Sequence, residues 1–373
     1  MATLKTMATA DTPDLAARAD QAARAVTRTF GQRLFFLPGT HIGASYRPNK
    51  RLRALLEPWN YWWQAHYVDC LVDAGRRELA AGRRFDGEAR PSAGRLASRL
   101  VTTIRLRNFL RFVNSYFDDM AWLAMATLRL EELAEATRKP GRRRNARVRE
   151  SLTLQFDSAS TEDLGGGTFW NTARDFKNTP ATAPVALYYA RTGRREHAQG
   201  LLDWLNARLL SPETGLYMDG LRISGGDTVL VPDIYTYNQG PVLGAMLELG
   251  GEANVRRAAA LIEAVRERLT LKQSNVLKSH GDGDGGLFTG ILLRYLARAA
   301  ADERLPQHAR DAAHAMVLDT ADAFWKGRSE TETPTFSKDP LRPASETYPP
   351  GSAVELSTQL QAWMALEAAA SLA

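Results

Sequence analysis

The sequence predicts an all-α protein built as an (α/α)6 barrel, a toroid of six helical hairpins. Two observations carry this. Apolar residues recur at helical spacing through most of the 373 residues, whereas strand-like alternation is nearly absent. The joins between the helical stretches are also markedly unequal, as expected of a ring of hairpins with tight turns on one face and functional loops on the other.

Ala-rich amphipathic stretches occur at about 12–30, 51–82, 89–112, 119–138, 179–192, 194–210, 240–250, 252–271, 285–301, 306–325 and 353–372. Tight joins include Thr192-Gly193-Arg194 and Leu249-Gly250-Gly251-Glu252. Long joins rich in aromatics, Gly and polar residues span 156–179, 211–239, 272–288 and 326–352. Leu221 to Ile234 is the one segment suited to a short hairpin, with a turn at Gly225-Gly226-Asp227. No repeat supports a helical array, and no internal linker divides the chain. A single catalytic domain over residues 1–373 is therefore expected, with residues 1–10 as a disordered tail.

The 44% hydrophobic and 24% charged residues are those of an ordinary globular protein. The net charge of +6 comes almost wholly from arginine, because only eight lysines are present. The arginines are spread along the chain, as at Arg76-Arg77, Arg83-Arg84 and Arg256-Arg257. A nucleic-acid binder would concentrate them and interleave stacking aromatics, so no nucleic-acid partner is expected. The dense run Arg138-Lys139-Pro140-Gly141-Arg142-Arg143-Arg144 centres on Pro-Gly and is read as a basic turn, with an anion or membrane-surface contact as the alternative.

One cysteine, Cys70, excludes an intrachain disulfide and lies in an apolar helical stretch, where a buried thiol is expected. No window approaches the ~18–20 apolar residues of a membrane span. Residues 1–20 contain no apolar signal region, which makes a cytoplasmic location the default expectation. A monomer is expected.

The sharpest chemical constellation is Tyr116-Phe117-Asp118-Asp119-Met120-Ala121-Trp122. Two adjacent carboxylates open a helix, and capping alone would account for them. Flanking aromatics add a second possibility. A carboxylate bonded to helix N–H groups is favoured as the anion, while a neighbour packed against rings holds its proton more tightly, which suits a nucleophile and a general acid.

A second cluster, Trp59-Asn60-Tyr61-Trp62-Trp63-Gln64-Ala65-His66, puts three tryptophans within five residues. They cannot all face one core, so at least one faces a pocket or solvent. Trp63 as a sugar-stacking platform with Gln64 as a hydrogen-bonding partner is one reading, and an aromatic core corner is the other. Trp170, Lys177, Asn178, Asp219, Tyr237, Asn238 and Gln239 lie in or beside the long joins, where their polar groups suit sugar hydroxyls; singly, each could serve turn chemistry.

Several of these blocks, in this order, resemble glycoside hydrolase family 76. They are Trp63-Gln64, Asp118-Asp119 with Ala121-Trp122, Gly166-Gly167 with Trp170, Lys177-Asn178, Gly215-Leu216 with Asp219-Gly220, and Thr236-Tyr237-Asn238-Gln239-Gly240. The resemblance runs from about residue 55 to 300. It implies an (α/α)6 fold and retaining endo-hydrolysis of α-1,6-linked mannan or mannooligosaccharides with no metal or cofactor. It further implies Asp118 as nucleophile, Asp119 as acid/base and Asp219 as a carboxylate that holds sugar hydroxyls. Two blocks depart from the family pattern: Thr179-Pro180-Ala181-Thr182 replaces Ala-Ile-Ser-Asn, and Phe288-Thr289-Gly290 replaces Phe-Lys-Gly.

The six histidines contain no zinc-binding spacing. The run Asp282-Gly283-Asp284-Gly285-Gly286 lacks the closing Glu of a calcium loop and is read as a pocket-edge loop. A sugar epimerase or uronyl hydrolase on the same barrel is the enzymatic alternative, with His66 and His280 as acid–base candidates. A glycan-binding or transglycosylating protein is a further one.

Overall fold

A computed structural model describes residues 14–48, 58–139 and 142–373. The tail expected at residues 1–10, and Pro140-Gly141 at the centre of the basic turn, lie outside them. Twelve long helices and one single-turn helix are present among the described residues. In chain order they are α1 (Leu15–Phe30), α2 (Tyr61–Ala81), α3 (Ala93–Arg107), α4 (Phe117–Ala136), α5 (Arg142–Ala159), α6 (Thr179–Arg191), α7 (Arg195–Arg208), α8 (Thr236–Leu249), α9 (Glu252–Arg268), α10 (Gly285–Ala300), α11 (Gln307–Lys326), the single turn α12 (Ala344–Thr347) and α13 (Leu356–Ala370).

Six of them form a closed inner ring in which each packs on the next: α2, α4, α6, α8, α10 and α13, with α13 returning to α2. Composition explains which helices go inside. In α6 every residue from Thr179 to Ala190 is buried, and α13 is buried from Leu356 to Ala369. A helix apolar on all sides must be covered on all sides. The outer helices show one apolar stripe instead; in α1 it is Ala19, Ala22, Ala23, Val26 and Phe30, with arginines facing outward. Close approach within the ring uses small residues. A side chain at Gly244 of α8 would meet the Tyr295 ring of α10 at 2.7 Å.

Each outer helix runs into an inner helix through a long connection, so the N-termini of all six inner helices point to one face. The opposite end is laced by charge. Arg129 of α4 and Arg294 of α10 each bond both Asp69 and Asp73 of α2. Arg77 joins Asp20 of α1 to Glu367 of α13, and Glu248 of α8 receives Arg191 of α6 and Arg298 of α10. Between the two ends, the Met125 and Tyr295 side chains touch across the axis, and the His66 and Trp122 rings lie 4.7 Å apart.

The expected helices are present with ends shifted by a few residues, except two. The stretch expected at 51–82 is helical from Tyr61 among the described residues. Helix α5 falls where the sequence reading has a basic turn and a loop. Its stripe is thin, with Val148, Leu152 and Phe156 buried at every fourth position in a polar background.

Strands are short. The expected hairpin is β5 (Gly220–Ser224) and β6 (Asp227–Val231) around Gly225-Gly226, and β4 (Phe176–Asn178) extends it to three strands. Two small pairs were not expected: β1 (Gly31–Gln32) with β2 (Ile42–Gly43), and β3 (Tyr46–Arg47) with β7 (Val354–Glu355).

Candidate active site

Asp118 and Asp119 occupy the first turn of α4, at the face where the inner helices begin. Their position is set by two backbone ties to the neighbouring loop: the Phe117 N–H donates to the Trp170 carbonyl at 2.8 Å, and the Thr172 N–H donates to that of Ser115 at 2.9 Å.

The two carboxyl groups differ in their partners. Asp118 accepts the Trp170 indole N–H at 3.1 Å and the backbone N–H of Asp119, while its Oδ1 is buried without a partner. Asp119 accepts the Asn114 amide at 2.6 Å. Burial pushes Asp118 up to about 7, opposed by those N–H donors and reinforced by the charge of Asp284. Burial pushes Asp119 up as well; the Asp118 and Asp284 charges add to it and the Asn114 amide opposes it. Two carboxyls that disfavour each other's charge in one buried site titrate as a pair, which suits them to share one proton.

The cleft wall beyond the pair is aromatic. Tyr237 and Phe288 stack with centroids 3.8 Å apart and planes at 9°, and Trp62 packs 6.3 Å from each. The indoles of Trp62 and Trp63 both donate to Asp284 Oδ1, at 2.8 and 2.9 Å. Asp219 receives Asn238 Nδ2 at 3.4 Å, and burial raises its pKa to about 6. The Asn238 Oδ1 is buried and without a partner, an acceptor on the cleft side of Asp219.

Of the sequence-predicted residues, the structure brings Trp170 onto Asp118, and Tyr237 between Asp118 and the Asp219–Asn238 pair. Trp122 lies one turn below Asp118 on the same face of α4, buried against His66, so it is the floor of the site.

Four residues take a different part from the one expected. Gln64 is fully buried and spends its amide on backbone, receiving the Gly43 N–H and donating to the Gly43 and Trp59 carbonyls. Lys177 Nζ donates to the Thr161, Asp163 and Gly166 carbonyls and the Thr161 hydroxyl, which leaves no N–H for a ligand. Asn178 caps α6 by accepting from Ala181, and Gln239 clamps Tyr217 and Tyr235. Each satisfies backbone that a loop cannot pair for itself. Trp63 is only 2% exposed, and the neighbouring Trp62 presents the ring to the cleft.

The structure adds Asn114, Trp62, Asp284 and Phe288 to the site. Asp284 is absent from the sequence-based candidates because its run was read as a pocket-edge loop with no role for either aspartate. Asp282 instead pairs with Lys338 at 2.6 Å, and Asp284 holds the two indoles. Among the described residues, no cluster of three or more His, Cys, Asp or Glu side chains could hold a metal ion. His66 and His280 are held neutral. Burial lowers His66 to about 3 and His280 to about 4, and His280 Nε2 accepts the Thr236 N–H at 3.3 Å.

The sequence profile described as Glycosyl hydrolase family 76 matches residues 40–372. The chain is similar to the GH76A α-1,6-mannanase of Salegentibacter sp. HEL1_6, with 27% identity over 96% of this chain and 100% of that chain and a TM-score of 0.81. It is equally similar to an inactive variant of that enzyme with two consecutive aspartates replaced by alanine, in complex with α-1,6-mannotetrose (26% identity, 97% of this chain, 100% of that chain, TM-score 0.82). Dfg5 from Chaetomium thermophilum, in complex with glucosamine, shares the fold at 17% identity over 98% of this chain and 91% of that chain, with a TM-score of 0.73. No curated protein matches the chain.

Proposed function

The chain belongs to glycosyl hydrolase family 76, and from that membership we propose that it is a retaining endo-α-1,6-mannanase in which Asp118 is the nucleophile and Asp119 the acid/base. The Asp-Asp pair supports the assignment: it occurs once in the sequence, its two carboxyls are buried with different hydrogen-bond partners, and the Salegentibacter enzyme is inactive once two consecutive aspartates are replaced.

The reaction follows from that asymmetry. Asp118 attacks the anomeric carbon as Asp119 passes its proton to the glycosidic oxygen, and the bond to the leaving sugar breaks. A glycosyl ester on Asp118 results. Asp119, now a carboxylate, takes a proton from water, the water attacks the same carbon, and Asp118 is released. Trp62, Tyr237 and Phe288 supply faces for pyranose rings, while Asp219 and Asn238 supply acceptors for hydroxyl groups. The neutral histidines lack the ready proton that an epimerase reading needs at neutral pH.

Incubation with α-1,6-mannooligosaccharides, followed by proton NMR of the anomeric region during early turnover, tests the reading. Two inversions restore configuration, so the α-anomer should appear first. A β-anomer appearing first would make water the attacking group and remove Asp118 from its role. Absence of any shorter product would overturn the hydrolase reading itself.

A further inference from the structure

Two loops on the active-site face carry bulky apolar side chains into solvent. In the connection after α1, Phe35, Phe36 and Leu37 are 54%, 90% and 48% exposed; in the connection after α3, Phe109 and Leu110 are 87% and 61% exposed. Single exposed apolar residues are ordinary, but five on two neighbouring loops form a patch. The loops flank the same end of α3. His41, at the base of the first loop, donates its N–H to Thr103 in the last turn of α3 at 3.0 Å, and the second loop leaves α3 at Asn108.

Their conformation is also unusual. Phe35, Phe36, Phe109 and Leu110 all have positive φ, between 46° and 63°, a region that bulky residues rarely enter. Both tips are held from below rather than collapsed inward. Thr40 caps the first by accepting the Leu34 N–H, and Arg105 holds the second through the Leu110 carbonyl.

The segments that carry the tips are rich in arginine, of which Arg28 and Arg90 pair with Asp86. Residues 21–48 and 89–117 contain ten arginines and no Asp or Glu. Arg33, Arg105 and Arg111 are exposed beside the apolar tips, and none of the three forms an ion pair among the described residues. An apolar patch beside three exposed, unpaired arginines complements a surface in which hydrocarbon lies beneath a layer of negative headgroups.

We propose that these loops dock the protein on an anionic lipid bilayer, with Phe36 and Phe109 entering the interface and the arginines meeting lipid phosphates. The docked orientation follows from the fold. The second loop continues directly into the turn bearing Asp118 and Asp119, and Tyr61 at the start of α2 donates to the Phe112 carbonyl at 2.7 Å. The mouth of the cleft therefore lies at the membrane surface. The proposal is independent of the hydrolytic reading, because none of these side chains belongs to the cleft.

Co-sedimentation of the full chain with extruded vesicles tests it, using phosphatidylcholine alone and phosphatidylcholine with about one-third phosphatidylglycerol. Binding is expected to the anionic vesicles only and should weaken as salt is raised. The double variant Phe36→Ser/Phe109→Ser should lose binding by at least about tenfold, and Arg33→Gln/Arg111→Gln by about fivefold per charge. Turnover of short soluble substrates should be unchanged in both. If the double phenylalanine variant fails to fold, Phe36→Ser alone, at the most exposed tip, carries the test. Equal binding to both vesicle types, no binding to either, or binding indifferent to the phenylalanines would overturn the proposal. Light scattering showing a dimer that the phenylalanine variant abolishes would assign the patch to a second copy of the chain and overturn it equally.

Discussion

Asp118 and Asp119 differ by one position in the chain, yet their carboxyls are set differently. The Trp170 indole and the Asp119 N–H hold the Asp118 carboxyl down against its burial, whereas at Asp119 the Asp118 charge adds to burial and the Asn114 amide opposes it. Trp170→Phe should keep the ring against Tyr116 and Phe176 and remove only the N–H donor. Asp118 would then hold its proton to higher pH, so the acid limb of the kcat/KM profile should move upward from its position near 7. An unmoved limb would show that the indole does not set the ionisation.

The same residues also predict a stability effect. The folded-state pKa of Asp118 is raised from 3.8 to about 7, so its contribution to stability is present below about 4 and is lost as pH rises to about 7. Asp118→Asn and Asp119→Asn remove that penalty. Each should lower turnover on mannan by several orders of magnitude, because the two act as a unit, and each should melt above the parent at pH 8 but not at pH 4. Calorimetry at the two pH values checks this. The pair was legible in the sequence because aromatics surround it. The difference between its members was not, since the Trp170 indole that holds Asp118 is fifty-two residues away.

At the level of elements, the loops are built by buried polar side chains that face away from the cleft. Lys177 on β4 gathers the 161–167 loop with four hydrogen bonds. At Gly167, with φ +78°, any side chain would enter the Trp204 ring at 2.7 Å. Lys177→Met should strand three carbonyls and cost about 2–4 kcal/mol, since charged hydrogen bonds contribute more than neutral ones. Hydrogen exchange should rise across 161–170, and turnover should fall through the displaced Trp170 rather than through lost substrate contacts. A variant that loses activity with unchanged exchange and melting would return Lys177 to the substrate. Sequence reasoning grouped Gln64, Lys177, Asn178 and Gln239 with the binding residues because each stands near aromatics, Gln64 in the tryptophan cluster and the others in long joins. Whether an amide faces a sugar or a backbone depends on which loop folds over it. Helix α5 was missed for another reason: only Val148, Leu152 and Phe156 among its larger apolar residues form a buried stripe, which gives a weak period.

For the molecule as a whole, the (α/α)6 architecture was readable from helix count and unequal joins, because both are local properties. The charge lattice at the far end was not, since Asp69 meets Arg294 across 225 residues. Arg294→Met leaves the Asp69 and Asp73 carboxylates short of a partner in a half-buried setting. It should destabilise the fold by about 3–5 kcal/mol while leaving kcat on mannooligosaccharides nearly unchanged. Thermal unfolding paired with kinetics separates the two effects, and a large fall in kcat at intact stability would contradict a purely structural part for the lattice.

Because Met125, Tyr295, His66 and Trp122 fill the axis above that lattice, the barrel has one mouth and no exit. A polymer cannot be threaded through it; a chain laid across the mouth, with both tails trailing to either side, is cut without reference to its ends. The cleavage rate on a fixed mass of polymer should then follow the number of internal linkages rather than the number of termini, and early digests should contain fragments of many lengths before any monosaccharide accumulates. The same single doorway serves departure, so short products must leave by the path that fresh substrate enters and will compete with it as they build up.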